Sequence, residues 1–247
     1  MHTGTEDPPD RDVVKRLFDL FFAALGLVVL SPGFLMIGLA VKLSDGGPVL
    51  FSQERVGQWG KRFRMLKFRS MVTNASRTGL SLTRDGDPRV TRVGRFLRKT
   101  KLDELPQLWN VFRGDMSFVG PRPEVPEYVD RYTPEQRKVL SLKPGITDLA
   151  TLEFRNEEEL LSQAKDGALE EGHGEGGEEG RAQRADVGVE EFYVQYCIPR
   201  KIELNLAYAC RANVWEDFKI ILRTLFSCAA TRAKPPTTSP HPSAAEF

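Results

Sequence analysis

The sequence offers little of the side-chain chemistry that many enzymes use. Its three cysteines are odd in number and lack metal-ligand spacing, which argues against a disulfide framework and for a reducing compartment. Its three histidines are expected to lie in disordered segments, which argues against histidine as a base, nucleophile or metal ligand: His2, His173 and His241. There is no glycine-rich phosphate loop and no internal repeat. Catalysis would therefore depend on carboxylates, lysines and arginines.

The chain also lacks a strong net charge. It has 35 lysines and arginines against 34 aspartates and glutamates, a formal charge of +1 over 247 residues. A nucleic-acid-binding protein normally shows a marked basic excess, so we expect no nucleic-acid partner. The length suffices for one sizeable core and leaves little room for two full domains.

One long apolar run, residues 17–43, is interrupted only by Asp19 and by Ser31-Pro32. It reaches the roughly 20 residues that a membrane span needs. Pro32 removes a backbone donor and presses on the carbonyl of Val28, while the Ser31 hydroxyl can bond a freed carbonyl. The pattern therefore predicts a helix, a kink and a second helix.

Each arm of this segment would be about 15–20 Å long as a helix, short of the ~30 Å hydrocarbon core. Basic residues flank both ends, and the positive-inside rule would keep both ends in the cytoplasm. We expect a re-entrant membrane anchor over residues 12–44, with its kink at Ser31 and Pro32. A transmembrane helix, a buried soluble helix and a signal peptide are the alternatives.

Beyond the anchor, residues 49–52 and 61–69 predict strands, the second with alternating basic and apolar side chains. Its Lys67 and Arg69 are candidate substrate-binding residues, although such a face is often only solvated. Residues 74–87 resemble a mobile loop, and residues 93–99 predict a basic amphipathic helix that can rest on anionic lipid.

The stretch 98–124 carries the candidate chemistry. Asp103 and Glu104 are adjacent acids among basic residues that include Arg98 and Arg122, a cluster suited to a phosphorylated substrate. Pro106 is tolerated in the first turn of a helix, which predicts a helix beginning near Asp103. The helix dipole there favours ionisation of at least one acid. Consecutive helical residues point about 100° apart, so the two acids should have different roles. An N-cap and a first-turn acid are the ordinary alternative.

Several motifs, taken together and in order, resemble those of the bacterial sugar transferase family, the monotopic phosphoglycosyl transferases. They are KRLFD at 15–19, Ser31-Pro32, GPVLFSQERVG at 47–57, KFRSM at 67–71, LDELPQLWNVFRGDMSFVGPRP at 102–123 and KPGIT at 143–147. A weaker match lies at 197–226. The chain departs from the commoner family pattern at Asp148-Leu149 and in a Gly/Glu-rich insert at 166–188.

The resemblance implies transfer of a sugar phosphate from a nucleotide sugar, expected to be a UDP sugar, to polyprenyl (undecaprenyl) phosphate. Asp103 would be the nucleophile and Glu104 its catalytic partner, with Arg98, Arg122, Lys67 and Arg69 binding substrate. Mg²⁺ would be ligated by Asp103 and phosphate oxygens. Direct transfer with Asp103 only as a metal ligand stays open, as does a catalytically silent adaptor that recruits downstream glycosyltransferases.

These observations predict an α+β, mostly helical fold with a small β element and amphipathic helices at the membrane interface. The expected organisation is a disordered tail (1–11), the re-entrant anchor (12–44), a catalytic domain (45–228) with a disordered insert (166–188), and a disordered tail (229–247). The expected location is the cytoplasmic face of the bacterial plasma membrane. The sugar, the nucleotide base, the pathway and the oligomeric state are left open.

Overall fold

The computed structural model describes residues 9–73, 75, 87–154, 157, 160–162 and 187–229. Nearly all of the predicted insert at 166–188, most of the predicted loop at 74–87, most of both predicted tails and the three histidines lie outside the described residues. The described fold is α+β and mostly helical, as predicted.

The helices are α1 (Pro9–Val29), α2 (Ser31–Asp45), α3 (Arg92–Lys99), α4 (Gln107–Arg113), α5 (Pro126–Val129), α6 (Leu149–Glu153), α7 (Ile198–Ala209) and α8 (Val214–Ala229). The strands are β1 (Leu50–Val56), β2 (Arg62–Phe68), β3 (Ser117–Val119) and β4 (Gly145–Thr147). Antiparallel β1 and β2 form one sheet, and parallel β3 and β4 form the other. The basic strand predicted at 61–69 is therefore confirmed as β2.

Helices α1 and α2 meet at Leu30 and are bent by 61°. The Ser31 hydroxyl donates to the Val28 carbonyl at 2.8 Å, the acceptor that Pro32, lacking an N–H, leaves without its helical partner. The predicted kink is confirmed, although α1 begins earlier than the predicted start at residue 12. In the described part of the chain no single helix is long and apolar enough to cross a membrane, whereas this bent pair passes the same test when taken together.

The apolar side chains around the bend are exposed. Val28 is 72% exposed, Leu35 75% and Met36 69%. Farther from the bend, Ala23 of α1 and Val41 of α2 are buried. The two helices therefore pack on the rest of the molecule near their outer ends and leave a large apolar tip uncovered.

The KRLFD segment fastens the start of α1 to the domain. The Arg16 guanidinium donates to the carbonyls of Val111 and Phe112, at 2.7 and 2.8 Å, in the last turn of α4. A cation suits these carbonyls because the C-terminal end of a helix carries partial negative charge. Lys15 forms an ion pair with Asp217 of α8.

Asp19 makes the most buried of these attachments, at 2% exposure. One of its carboxylate oxygens accepts hydrogen bonds from the Ser117 hydroxyl and the Phe118 N–H, both at 3.1 Å. Since Ser117 and Phe118 belong to β3, this acid at the start of the apolar part of α1 joins the helix to a strand of the domain.

The outer end of α2 returns to the same domain. Val41 packs in one cluster with Phe68 of β2 and Leu97 of α3. At the C-terminus of α2, Asp45 forms an ion pair with Arg69, which directly follows β2. Both outer ends of the bent pair are therefore attached to one body.

Helices α7 and α8 are separated by a short break between Ala209 and Val214. The break falls at Asn213, whose side-chain oxygen accepts from the Glu216 N–H at 2.9 Å. This is an N-cap, which starts a new helix.

We expect Asp19→Ala to loosen the attachment of α1, because it leaves the buried donors of Ser117 and Phe118 without their acceptor. The free energy of unfolding should fall by about 2–3 kcal/mol. Asp19→Asn retains one acceptor oxygen and should lose less. Thermal unfolding in detergent would measure both, with the exposed Asp130→Ala as control; equal midpoints for Asp19→Ala and Asp130→Ala would contradict the role of Asp19.

Candidate active site

A short 3-10 turn, Leu102–Glu104, carries the two acids between α3 and α4. Lys101 precedes it with a positive φ of 57°. This left-handed conformation is uncommon for a residue other than glycine, and it turns the chain away from the axis of α3. Pro106 immediately precedes α4, which begins at Gln107. The prediction of a helix beginning near Asp103 is therefore wrong in its boundary, because the acids occupy a separate turn.

Glu104 is held by two cations. Its carboxylate accepts from the Arg122 guanidinium at 2.5 and 3.3 Å and from the Lys67 ammonium at 3.1 Å. The Glu104 side chain is 12% exposed. Because Lys67 belongs to β2 and Arg122 follows β3, this one carboxylate connects three separate segments of the chain.

Asp103, unlike Glu104, has a carboxylate oxygen that no cation in the described part of the chain bonds. It is 6% exposed, and its Oδ1 atom is buried with no hydrogen-bond partner among the described residues. Buried polar atoms are normally paired, so an unpaired carboxylate oxygen calls for a functional explanation. The adjacent acids have different surroundings, as their different directions predict.

The charges of the two acids differ accordingly. Burial opposes ionisation of Glu104, but Arg122 and Lys67 outweigh it and hold the pKa of Glu104 well below its usual range. Burial raises the pKa of Asp103, and the negative charge of Glu104 adds to that effect, while Lys67 opposes it. Burial lowers the pKa of the Lys67 ammonium, against the attraction of Glu104. At neutral pH, Glu104 is therefore the firmly ionised member of the pair.

The loop that carries Arg122 packs directly on the KPGIT segment. The Gly120 N–H donates to the Thr147 carbonyl and the Gly145 N–H to the Pro121 carbonyl, both at 3.0 Å. A side chain at Gly145 would lie 2.2 Å from the Gly120 nitrogen, so only glycine permits this approach. The backbone before Arg122 is thereby fixed.

Asp148 fixes the backbone of Arg122 itself. It is 1% exposed, and its Oδ2 accepts from the Arg122 N–H at 3.2 Å and from the Asn205 amide at 2.8 Å. Its Oδ1 accepts from the Thr151 N–H at 2.6 Å and so caps α6. Asp148 therefore joins the Arg122 loop to α6 and α7.

Two other predicted substrate-binding residues, Arg98 and Arg69, do not contact Glu104. Arg98, in the last turn of α3, lies close enough for its charge to lower the pKa of Asp103. Arg69 is buried and pairs with Asp45 at the C-terminal end of α2. The structure thus brings Lys67, Asp103, Glu104 and Arg122 together, places Arg98 nearby, and gives Arg69 a partner elsewhere.

Comparison with known proteins bears on this arrangement. A family model described as bacterial sugar transferase matches residues 10–169, a range that holds the bent pair of helices, both acids and the Arg122 loop. The chain belongs to the bacterial sugar transferase family.

Several curated relatives of this family member share much of its sequence. A UDP-glucose:undecaprenyl-phosphate glucose-1-phosphate transferase of Caulobacter vibrioides is 35% identical over 89% of this chain and 71% of its own length. The galactosyl transferase CpsE of Streptococcus agalactiae is 35% identical over 86% of this chain and 41% of its own length. The exopolysaccharide production protein ExoY of Sinorhizobium fredii is 40% identical over 60% of this chain and 73% of its own length. The chain thus spans less than half of one of these relatives.

Two supporting elements of this sugar transferase site were not predicted. One is the contact of Asp148 with Arg122; the Asp-x-x-Thr spacing at 148–151 signals an N-cap but not a contact with a distant loop. The other is the polar cluster around Glu124, which accepts from the Tyr193 hydroxyl at 2.6 Å and pairs with Arg55 at 3.8 Å. These contacts are long-range, and no local pattern indicates them.

We expect Asp148→Asn to act through Arg122, because it replaces one acceptor oxygen by a donor facing N–H groups. The kcat/KM for donor should fall about tenfold, mainly through KM, and Arg122→Lys should also lower it, since lysine lacks the planar fork. In a double-mutant cycle the two changes together should cost little more than Arg122→Lys alone. Fully additive losses would contradict a role of Asp148 through Arg122.

Proposed function

We propose that this chain is a phosphoglycosyl transferase that moves a sugar 1-phosphate from a nucleotide sugar, a UDP sugar, to polyprenyl (undecaprenyl) phosphate. Nucleoside monophosphate is the second product. Family membership and the activity for which the Caulobacter relative is named support this reaction. The product would begin the assembly of a polysaccharide or glycoconjugate on a lipid carrier.

The observation that carries the proposal is the contrast between the two acids. Glu104 is fully engaged by Arg122 and Lys67, whereas the Oδ1 atom of Asp103 is unpartnered among the described residues. A carboxylate oxygen without a hydrogen-bond donor is a better nucleophile than one that is bonded, since no bond has to break before attack. Asp103 is therefore assigned as nucleophile and Glu104 as the residue that orients the cations.

In the first step a carboxylate oxygen of Asp103 forms a bond to the phosphorus that bears the sugar. The bond from that phosphorus to the bridging oxygen of the diphosphate breaks, and nucleoside monophosphate leaves with the electron pair. In the second step a phosphate oxygen of polyprenyl phosphate attacks the same phosphorus. The bond to Asp103 breaks, the carboxylate is restored, and polyprenyl diphosphate sugar is released. Both steps balance without proton transfer.

The cations have separate tasks in this scheme. Arg122 presents a planar fork suited to phosphate oxygens, and its backbone is fixed by Asp148. Lys67 bonds Glu104, and its charge stabilises the carboxylate form of Asp103. Arg98, on α3, adds positive charge on the Asp103 side. Arg69, by contrast, supports the site through its ion pair with Asp45. This pair fixes the C-terminal end of α2, where the anchor rejoins the domain.

The residues present fit a Mg²⁺ ion that arrives with the donor. Among the described residues no group of three or more His, Cys, Asp or Glu side chains is placed to hold a metal, but Mg²⁺ commonly takes one or two carboxylates together with phosphate oxygens and water. The unpaired oxygen of Asp103 supplies such a carboxylate. When bound, the ion would neutralise phosphate charge and polarise the phosphoryl group.

We also propose that the bent pair α1 and α2 is a re-entrant anchor at the cytoplasmic face of the bacterial plasma membrane. Three observations support it: the 61° bend, the exposed apolar tip, and the attachment of both outer ends to one body. A span would place its two ends on opposite sides of a ~30 Å core. The exposed Phe96 of α3 and Trp215 of α8 suit helices that lie at the interface.

The adaptor alternative gains no support. None of the relatives named above is described as an adaptor. A silent scaffold would also have no use for a buried carboxylate oxygen that stabilises nothing in the protein, since such an atom costs free energy.

The covalent mechanism predicts a measurable intermediate. Protein mixed with UDP sugar and Mg²⁺, without polyprenyl phosphate, should release UMP in a stoichiometric burst and gain the mass of a sugar phosphate on the peptide that contains Asp103. Asp103→Asn should abolish the burst and lower turnover by several orders of magnitude. Asp130→Asn, at an exposed acid, is the matched control. Turnover with acceptor but without burst or adduct would leave Asp103 as a metal ligand for direct transfer.

The re-entrant anchor predicts that both of its flanks face the cytoplasm. In a variant without natural cysteines, Thr5→Cys before the anchor and Lys61→Cys after it should react with a membrane-impermeant thiol reagent only after cells are opened. Adding Pro32→Ala should straighten the helix and increase labelling of Thr5→Cys in intact cells, whereas Pro48→Ala, outside the bend, should not. Labelling of Thr5→Cys in intact cells of the parent background would rule out the re-entrant form.

A further inference from the structure

Gln107 is the most unusual polar side chain near the acids. It is 1% exposed, and both its amide nitrogen and its amide oxygen are buried without a hydrogen-bond partner among the described residues. A buried amide left in this state costs about 1–3 kcal/mol for each unsatisfied group. The sequence around it, Leu-Pro-Gln-Leu, would accommodate an apolar residue there at lower cost.

The position of Gln107 points to the reacting centre. It follows Asp103 by four residues, through a segment whose intervening residues are all right-handed helical or 3-10, so the two residues lie about one turn of chain apart. Both residues are buried, and Asp103 Oδ1 is unpaired as well. One turn of chain thus presents two acceptor oxygens and one amide donor without protein partners.

Asn110, the next polar residue of α4, is an amide with a purely structural role and serves as a comparison. Asn110, one turn farther along α4, accepts from the Leu66 N–H at 3.0 Å and donates to the Arg64 carbonyl at 2.8 Å. It thereby caps the edge of β2 and is fully used within the protein. In the chain, Gln107 stands between Glu104, which bonds Lys67 of β2, and Asn110, which bonds the edge of the same strand. The Gln107 amide itself bonds no part of this strand.

We propose that Gln107 is a further substrate-binding residue of the reaction proposed above: its amide NH₂ donates to a non-bridging oxygen of the donor's sugar-bearing phosphate, beside Asp103. The inference rests on the proposed function. Phosphate oxygens accept strongly from N–H donors. A neutral amide adds a donor without adding positive charge, so it holds the phosphate without drawing the Asp103 carboxylate into an ion pair. The amide oxygen is then available to a water or a sugar hydroxyl of the bound donor.

The test exploits opposite effects on stability and on the reaction. Gln107→Met keeps the length and the helix propensity of the side chain and removes both polar groups. If Gln107 serves the substrate, the thermal midpoint of the ligand-free protein should stay equal to or rise above that of the parent. The UMP burst rate with UDP sugar alone should fall about 10–100-fold, and the rise in midpoint that UDP sugar produces should shrink. Gln195→Met, at an exposed glutamine, is the matched control.

Each other outcome overturns the proposal in a recognisable way. A lowered midpoint in the ligand-free protein, with a normal burst, would make Gln107 a second cap on the edge of β2, like Asn110. A normal burst with slow transfer to undecaprenyl phosphate would place the amide on the acceptor phosphate instead. A parent protein that itself shows neither burst nor stabilisation by UDP sugar would remove the proposed function and this inference together, whereas an active parent matched by Gln107→Met would remove the inference alone.

Discussion

The candidate site depends on one partly buried carboxylate, Glu104, held between Arg122 and Lys67. Two cations in a partly buried site repel each other, and an anion between them removes that repulsion. The contact also fixes the relative position of β2, the 3-10 turn and the loop after β3, which are distant in sequence. Removing the anion from such a partly buried cluster leaves the two cations uncompensated. Glu104 is thus a structural requirement of the cationic side of the site, which leaves Asp103 free for chemistry.

The bent pair of α1 and α2 is attached directly to the elements that carry the site. Arg16 bonds the last turn of α4, and Asp19 bonds β3, so the first helix holds the two elements that follow the acids in the chain. At the other end, Asp45 pairs with Arg69 directly after the strand that carries Lys67. If the exposed tip inserts in a bilayer, the depth and tilt of the site relative to the membrane surface follow from these contacts. A lipid-borne phosphate and a soluble nucleotide sugar can then meet at a defined height.

Sequence reasoning succeeded where the cause is local. The bend follows from Pro32 and the Ser31 hydroxyl, and β2 from its alternating side chains; neither depends on distant residues. It erred at the start of α4, because the positive φ of Lys101 and the position of Pro106 separate the acids into their own turn. It did not predict the role of Asp148, since a contact between residues that are distant in the chain has no local signature. Arg69 shows the remaining difficulty: a basic residue on a predicted strand fits a phosphate and an internal acid equally well.

The charge balance of the site explains why binding and chemistry require more than the described side chains. Lys67 and Arg122 are opposed by Glu104 and, when ionised, by Asp103, so the cluster itself carries little net charge. In the proposed reaction a nucleoside diphosphate sugar adds negative charge beside the Asp103 carboxylate, and at short range in a poorly solvated site such repulsion amounts to several kcal/mol. Positive charge must therefore enter with the donor or be drawn in from α3. A neutral amide at Gln107 is consistent with this constraint, because it binds a phosphate oxygen without competing for the electron density of Asp103, which the attack itself requires.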